Sequence, residues 1–536
     1  MDYLSLCLIC KDENETLPEW LDYHILMGVE RFYIYDNESK VSLRESLKDY
    51  IERGWVVLTD IPGQGMQLHA YDHCLRVFGA NTFWLGFIDT DEFLVPKTTL
   101  DLKQLLKDYE AFGGLAVSSL FFGSNAHKTR PLEGQIAAYT RRVDAGFKDY
   151  TLVKSIVQPG RVVIPYSPHD FVYQENAWCV NEAFLRVDNQ DFPSHTQKIQ
   201  LNHYFCRSEE EIEQKLRRGN SGRVAWQRRR FEQVNLLANY EDTSILQNLQ
   251  SLFQAEPVSQ TAGLFENLSS LARGRQPAPI EFMPAAEVVF SPEMTSFLDA
   301  VLEFREIQAR ADRGEYQRWI LKQLQLFPQK INLLIDLAFC ELDLGDPPAA
   351  WQALSRAWQM APNSYASLLG MTVYFMRVKD FGMAEKTCHL LLEQAPHDLM
   401  TLGLMTEAWI GLGRWDEALQ IGLPVVELSA QVGELPDGMG VNLVKKMADY
   451  LLEKKDFAGA ARLWQAGVQC QPGDVDALLE LSRALILSGN TPGARRRILQ
   501  AQTLAPQNEE VLAQLKQVDA IAGPRSTVLH PKKRSH

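Results

Sequence analysis

Long apolar runs are missing from this chain: no stretch approaches the roughly 18 consecutive apolar residues that span a bilayer. The beginning lacks the basic start and small-residue cleavage site of a signal peptide, running instead from Asp2 through a brief apolar run to Lys11-Asp12-Glu13. Positive charge is also short, with 54 Lys and Arg against 68 Asp and Glu, a formal net charge of −14. That balance excludes a general nucleic-acid or anionic-membrane binder, which needs a basic surface. Cysteine is sparse, eight scattered residues in 536, and a chain of this length needs no disulfide staples. The expectation is a soluble cytoplasmic protein with reduced thiols, at most peripheral at a membrane. Cys7 and Cys10 form a C-x-x-C, but "YLSLCLIC" reads as a strand, where residues three apart face opposite ways. Buried core is expected there rather than a redox or metal pair.

What is present is ordinary globular composition, 46% hydrophobic and 23% charged, at a length that allows several domains. Basic residues cluster only in "RRGNSGRVAWQRRRF" (217–231) and in the tail "PKKRSH" (531–536), which reads as a solvated end.

The C-terminal half repeats. Pro328, Pro362, Pro396, Pro472 and Pro506 are separated by 34, 34, 76 and 34 residues. Ala350, Ala384, Ala418, Ala460 and Ala494 fit the same series, with Ala338, Thr372, Thr406 and Ser482 as a second row of small residues. Gly345, Gly413 and Gly489 mark turns. A 34-residue period with small residues where paired helices cross matches the tetratricopeptide pattern. Each repeat buries its open face on the next. The long interval is two repeats plus eight residues, placed in "LSAQVGELPDGMG". Six repeats are expected over 295–522, with a capping helix after Pro506 and a basic disordered tail at 523–536.

Up to about residue 240 the pattern differs. Short apolar runs ("YLSLCLIC", "RFYIYD", "WVVLTDI", "FWLGFID") alternate with helical stretches such as "TLPEWLDYHILMG". That is the signature of a mostly parallel sheet flanked by helices. Between the halves, 241–294 reads as a linker, rich in Pro, Ala, Gly and Ser over 255–293.

In parallel α/β sheets, ligands bind beyond the carboxyl ends of strands. "DTDE" (89–92) lies at such an end. In extended backbone Asp89 and Asp91 face one way and Thr90 the other. Two converging carboxylates repel unless neutralised, and a divalent cation does so; hard oxygen ligands favour Mg²⁺ or Mn²⁺, which leave room for substrate phosphates. An isolated D-x-D is equally compatible with acids capping a helix or facing water. Here two further strands bring polar groups to the same rim: Asp36-Asn37 at the end of the strand in "FYIYDNES", and Lys11-Asp12-Glu13 after the first strand. Asp36 there suits a nucleoside's hydroxyls, although Asp-Asn is also a simple turn.

Ordered motifs then resemble a family. They are "KDE" (11–13), "EWLDYH" (19–24), "GV" (28–29), "YDNES" (35–39), Gln67 with Tyr71 and Cys74, and "FIDTDEF" (87–93). They continue with "FFGSNAHKTRP" (121–131), Lys154, His169 and "LNHYFCRSEEEIEQKLRRG" (201–219). Residues 3–235 resemble glycosyltransferase family 92 and its family-2-like relatives. The resemblance implies a GT-A fold (Rossmann-like α/β) over 1–240 and a nucleotide-sugar-dependent, hexosyltransferase-like enzyme. It implies that Asp89 and Asp91 hold a metal–diphosphate and Asp36 the nucleoside, with Lys11, Glu13, Gln67, His127 and Lys154 lining the donor. His203 is the candidate third metal ligand, on a strand that returns to the crevice; a packed core histidine is the equal alternative. The resemblance also implies inversion by single displacement, which needs an acceptor-side carboxylate, for which Asp170 and Glu182 are candidates. The chain departs from the family at Ala126, where Gly precedes the His, and at Arg207, where Lys is common. Lys215, Arg217 and Arg218 are candidates for phosphate contact or simply a solvated helix face.

The expected function is metal-dependent transfer of a sugar to a glycan, lipid-linked or protein acceptor, with the repeats binding a protein partner or the acceptor. The repeats are expected to be separable, so that removing 295–536 spares donor hydrolysis. The alternatives are a metal-dependent phosphoesterase and a non-catalytic repeat scaffold.

Overall fold

The computed structural model describes residues 1–145, 152–188, 194–218, 224–253, 264–279, 289, 291–310, 312–432 and 441–522. The tail 523–536, much of 254–290 and the side chain of Arg218 lie outside the described residues.

The apolar runs of the N-terminal half form strands. In chain order these are β1 (Asp2–Cys10), β2 (Arg31–Asp36), β3 (Val56–Asp60), β4 (Thr82–Phe87), β5 (Glu92–Pro96), β6 (Gly114–Phe121) and β7 (Arg141–Arg142). They continue with β8 (Val153–Val157), β9 (Val162–Pro165), β10 (Phe171–Tyr173), β11 (Cys179–Val180), β12 (Arg186–Val187), β13 (Ile199–His203) and β14 (Tyr240–Glu241). The main sheet has the order β12-β11-β6-β8-β4-β1-β2-β3, with β13 joined to β5 and β6. β4, β1, β2 and β3 are parallel, connected by helices over Leu17–Leu26 and Gln67–Phe78 and short helical turns. Beyond them the sheet is mixed, because β8 runs antiparallel to both β4 and β6, and β13 runs antiparallel to β5. The expectation of a mostly parallel sheet thus describes the first four α/β units, not the side where β8 is inserted.

The central strands β1, β2, β4 and β6 are buried on both faces. Cys10 sits in one core with Leu4, Leu6 and Leu8, whereas Cys7 joins Tyr33, Tyr71 and Cys74 in another. That separation is the strand alternation expected of the C-x-x-C. Gly86 on β4 has a packing reason: a Cβ there would meet Leu6 Cδ2 at 2.6 Å.

The stretch 241–294 is not a plain linker. It carries helices Ser244–Phe253 and Leu264–Arg273. Their Ile245, Leu249, Leu264, Leu268 and Ala272 belong to the same core as β1. Amphipathic spacing hidden in a Pro/Ser-rich composition explains the difference.

The described residues from 292 onward form six helix pairs, Pro292–Arg310 with Arg313–Leu326 through Val475–Leu487 with Thr491–Leu504, followed by the single helix Glu509–Ala522. Ala350, Ala384, Ala418, Ala460 and Ala494 are fully buried, as are Ala338, Thr372, Thr406 and Ser482. Small side chains at these crossings let backbones approach: Ser482 Oγ donates to the Ala494 carbonyl at 3.2 Å. Gly345, Gly413 and Gly489 adopt φ of 85°, 76° and 85°, the left-handed conformation that ends a helix and favours glycine. Part of the eight-residue excess lengthens the helix Trp415–Val432. Among the described residues no helix is long and apolar enough to cross a membrane.

The chain divides into two compact units, Met1–Tyr374 with Glu393–Asp398, and Phe375–Leu392 with Leu399–His536. The first unit therefore contains the sheet and the first repeats together. Ile164 and Val172, from the β9–β10 hairpin, share a core with Met294, Phe297, Trp319 and Ile320 of the first helix pair. The second unit has its own core, centred on Val444, Met447, Leu463, Leu478 and Ile498.

Candidate active site

β4 runs out at Phe87, and Asp89-Thr90-Asp91 form a turn before β5 leaves with Glu92. The Glu92 N–H donates to the Asp89 carbonyl at 3.1 Å, and the Asp89 N–H donates to Glu92 Oε2 at 2.8 Å. This corrects the expectation of extended backbone through D-x-D. In a turn, strand alternation no longer sets direction, and the two aspartates take different partners. Thr90 does not face water; it is buried, with Arg207 Nη2 3.4 Å from its hydroxyl.

Asp89 Oδ2 accepts from Lys154 Nζ at 2.9 Å, and its Oδ1 accepts from Gln67 Nε2 at 3.2 Å. Lys154 comes from β8, inserted beside β4, and its side chain is 2% exposed. Gln67 opens the helix Gln67–Phe78 and also donates to the Tyr71 hydroxyl. Burial alone would depress the Lys154 ammonium, but Asp89 and Glu92 hold its pKa well above the usual lysine range.

Asp91 faces the other way round the turn. Lys215 Nζ, from the helix Glu209–Arg218, lies 3.0 Å from its Oδ2, and His203 Nε2 lies 3.8 Å from the same oxygen. Against the burial that would raise it, Lys215, His203 and Arg207 hold the Asp91 carboxyl well below the usual range. His203 ends β13, and the β13–β5 register sets it opposite Glu92. Its Nδ1 is 3.7 Å from Glu92 Oε1.

Glu92 joins the two halves of the cluster, touching the Asp89 N–H, Lys154 and His203 while 1% exposed. Burial, with Asp89 and Asp91 nearby, raises its pKa, and Lys154 and His203 counter this. Arg207, at φ 48°, pairs with Glu13 Oε2 at 2.9 Å. Burial would raise Glu13, but the adjacent Arg207 brings it below the ordinary value. Glu92 and Arg207 are members that the sequence reading did not assign. A buried acid at the first position of an apolar strand, "EFLVP", was the available signal.

The remaining expected residues divide. Asp36 ends β2 beside β1, and its two oxygens accept from the Ser39 and Leu43 N–H groups at 2.9 and 3.3 Å. Lys11 follows the end of β1. His127 packs its ring against Tyr139 at 5.7 Å and bonds through its carbonyl to the Glu209 N–H. Neighbouring Arg130 is engaged by Glu211 and Glu15.

The two acids expected on the acceptor side have other partners. Glu182, 4% exposed, accepts three main-chain N–H groups: Gln197 at 2.6, Lys198 at 2.8 and Ile199 at 2.9 Å. β11 pairs the first residues of β6 and β13 its last, so this carboxylate splices the approach to β13 onto the end of β11. Asp170 is paired with Lys330, from the repeat helices. Both carboxylates are thus engaged within the fold, Glu182 by main-chain N–H groups and Asp170 by the Lys330 ammonium.

Whether the cluster suits a divalent cation is decided by its donors. Asp91 and His203 offer a carboxylate oxygen and an imidazole nitrogen 3.8 Å apart, separated by about the distance two ligands of one ion can have. Mg²⁺ and its analogues take one or two protein carboxylates and fill the rest with phosphate oxygens and water. Among the described residues no group of three or more His, Cys, Asp or Glu is gathered to hold an ion by itself. The donor set therefore fits a cation that arrives with phosphate. Lys215, on the same oxygen, is 44% exposed and free to turn to solvent. Asp89 is less free, because Lys154 is buried against it.

The family model for glycosyltransferase family 92 matches residues 4–221, and a tetratricopeptide repeat model matches 451–517. A glycosyltransferase family 92 protein of Ricinus communis is 31% identical over 157 residues, 28% of this chain and 28% of that protein. One of Oryza sativa subsp. japonica is 30% identical over 160 residues, 29% of this chain and 27% of its own length. The chain thus spans little more than a quarter of the curated relatives it matches. A solved structure described as a functional characterization of Pseudomonas aeruginosa pilF covers 42% of this chain and all of its own, at 14% identity and a TM-score of 0.33.

Proposed function

We propose that the N-terminal unit is a glycosyltransferase that moves a sugar from a nucleotide-sugar donor to an acceptor hydroxyl with inversion. The observation that carries this reading is the coincidence of the match over 4–221 with the cluster. Glu13, Gln67, Asp89, Asp91, Glu92, Lys154, His203, Arg207 and Lys215 all fall inside it.

In this reading Asp91 and His203 would hold Mn²⁺ or Mg²⁺, which would supply positive charge beside the departing nucleoside diphosphate. Lys215, half-exposed and carrying three donors, turns to a phosphate oxygen. Lys154 stays with Asp89 and Glu92, and so keeps the turn that aims Asp91. Asp36 retains lone pairs beyond those used by Ser39 and Leu43, and accepts from the nucleoside's hydroxyls. Neither Asp170 nor Glu182 is given the role of base. The acceptor is a glycan, a lipid-linked sugar or a protein, and the repeats bind it or a protein partner.

The test incubates the full chain with Mn²⁺ and a panel of nucleotide sugars. Donor-specific release of nucleoside diphosphate is expected, and Asp91→Asn should abolish it. Release of inorganic phosphate from nucleotides generally would favour a phosphoesterase. No release from any donor, with no donor binding by calorimetry, would reject the enzymatic reading and leave the scaffold.

A further inference from the structure

Between β9 and β10 the chain makes a tight turn, Tyr166 to Asp170. The Tyr166 and Ser167 N–H groups donate to the Asp170 carbonyl at 3.0 and 3.1 Å, and the Ser167 hydroxyl accepts from the His169 and Asp170 N–H groups at 3.1 Å each. On its inner side this turn grips β8 twice. His169 Nδ1 lies 3.0 Å from the Val153 carbonyl, and the Ser155 hydroxyl donates to the His169 carbonyl at 2.8 Å. Val153 and Ser155 flank Lys154, the buried ammonium that holds Asp89 and Glu92. On its outer side the turn is gripped by Lys330, at the start of the repeat helix Ile331–Asp343. Lys330 Nζ donates to Asp170 Oδ2 and, at 3.4 Å, to the Asp188 carbonyl, and it lies 4.4 Å from the Tyr166 ring centroid.

We propose that Lys330 is a positioning residue for the donor site, acting through Asp170 and the 166–170 turn to hold β8 and with it Lys154. This rests on the glycosyltransferase reading for its consequence in turnover. The path is continuous in direct contacts, from a repeat helix to the D-x-D turn, and it lies within one compact unit. Stability alone does not account for it. The seam encloses a cavity of about 40 Å³, lined by His169, Asp170, Tyr173, Asp188 and Lys330 among others. Among the described residues, Asp170 Oδ1 and Asp188 Oδ2 are buried there without a hydrogen-bond partner. The space admits water to them. A buried ion pair in a wet seam adds little stability over apolar packing, but it fixes geometry.

The test compares the full chain with K330M and K330R, measuring donor-hydrolysis kcat and KM well below the unfolding temperature and hydrogen exchange by peptide. For K330M the expectation is a kcat about tenfold lower with a smaller change in KM. Exchange should rise at 153–171 while the peptides of β1 and β2 stay at wild-type rates, and K330R should recover most of both. Wild-type kcat in K330M, or exchange raised evenly over the unit, overturns the proposal. If the wild type turns over no donor, the function reading fails and the exchange pattern alone decides on Lys330. Should K330M fail to fold, D170N, which removes the charge at the other end, is read in the same way.

Discussion

Substituting Glu182 by Gln separates a structural carboxylate from a catalytic one. Its oxygens accept three main-chain N–H groups at 2.6–2.9 Å, in a site closed to water. Hydrogen bonds to a charged acceptor contribute roughly 1.5–3 kcal/mol each, and an orphaned buried donor costs about 1–3 kcal/mol. Glutamine keeps one carbonyl oxygen but turns an amide N–H toward the donors that faced the other. One or two of the three bonds are lost, so Glu182→Gln should destabilise the first unit by about 3–5 kcal/mol. In a unit of this size that lowers Tm by about 4–6 °C. Differential scanning calorimetry reads the shift, and nucleoside diphosphate release per folded molecule reads the chemistry. The expected outcome is a lowered Tm with turnover per folded molecule within about twofold of wild type. An unchanged Tm with turnover reduced by two orders of magnitude or more would refute this and restore Glu182 as the base.

At the cluster itself the order of effects should invert between two variants. Lys154→Met strands Asp89 and Glu92 beside Asp91 and should cost about 3–5 kcal/mol in denaturant unfolding. Asp91→Asn leaves Lys215 a route to water, and should cost less than Lys154→Met while removing donor turnover. Two of the buried groups that shape the pH dependence of stability act with opposite sign. Burial pushes His24 down to about 3, so below its unfolded value of 6.5 the unfolded chain takes up a proton that the folded one refuses, and stability falls with falling pH. Burial raises Glu19 to about 7, offset in part by N–H bonds from Gln135 and Ile136, so its contribution to stability falls as pH rises from 4.5 to 7. At about 1.4 kcal/mol per unit these nearly cancel between roughly pH 5.5 and 7; Glu19→Gln should therefore uncover a loss of about 1 kcal/mol on acidification over that range, read by urea titration against wild type. Finally, a chain cut at residue 294 should be insoluble or aggregated by gel filtration, contrary to the separable repeats anticipated from sequence, because Tyr166, Ile164 and Val172 lose their covering helices.

Much of the site was legible because strand ends are legible. An apolar run that stops in acids marks a rim, and β1, β2 and β4 deliver Glu13, Asp36 and Asp89 there. His203 came instead from the family resemblance, on a strand, "IQLNH", able to return to the crevice. What failed was the assumption of extended backbone at Asp89-Thr90-Asp91. Whether a strand continues or turns depends on what binds the backbone, and here the Glu92 side chain captures the Asp89 N–H. Pairing of acids with lysines was illegible for a related reason. Lys154 and Lys215 lie 65 and 124 residues from their partners, and only the insertion of β8 beside β4 and the return of the 209–218 helix bring them in. That Glu182 binds the approach to β13 was equally illegible, because an acid between strand motifs looks the same whether it faces substrate or a neighbouring backbone.

The repeats show the complementary limit of periodicity. A 34-residue period specifies how each helix pair meets the next, since Ala350, Ala384 and their equivalents line the crossings, but it says nothing of what the first pair stacks upon. An array must end somewhere, and an apolar terminal face demands a cap or another domain. Here the face of Pro292–Arg310 and Arg313–Leu326 is met by the β9–β10 hairpin, with the Tyr166 ring 5.1 Å from Phe297 and 6.3 Å from Phe327. The hairpin's Ile164 and Val172 read locally as ordinary strand residues; that they face a helix pair more than a hundred residues later is a property of the assembled unit. A hairpin covered by the opening repeats cannot be separated from them by cutting where the composition changes, and the boundary between compact units falls instead inside the repeat array.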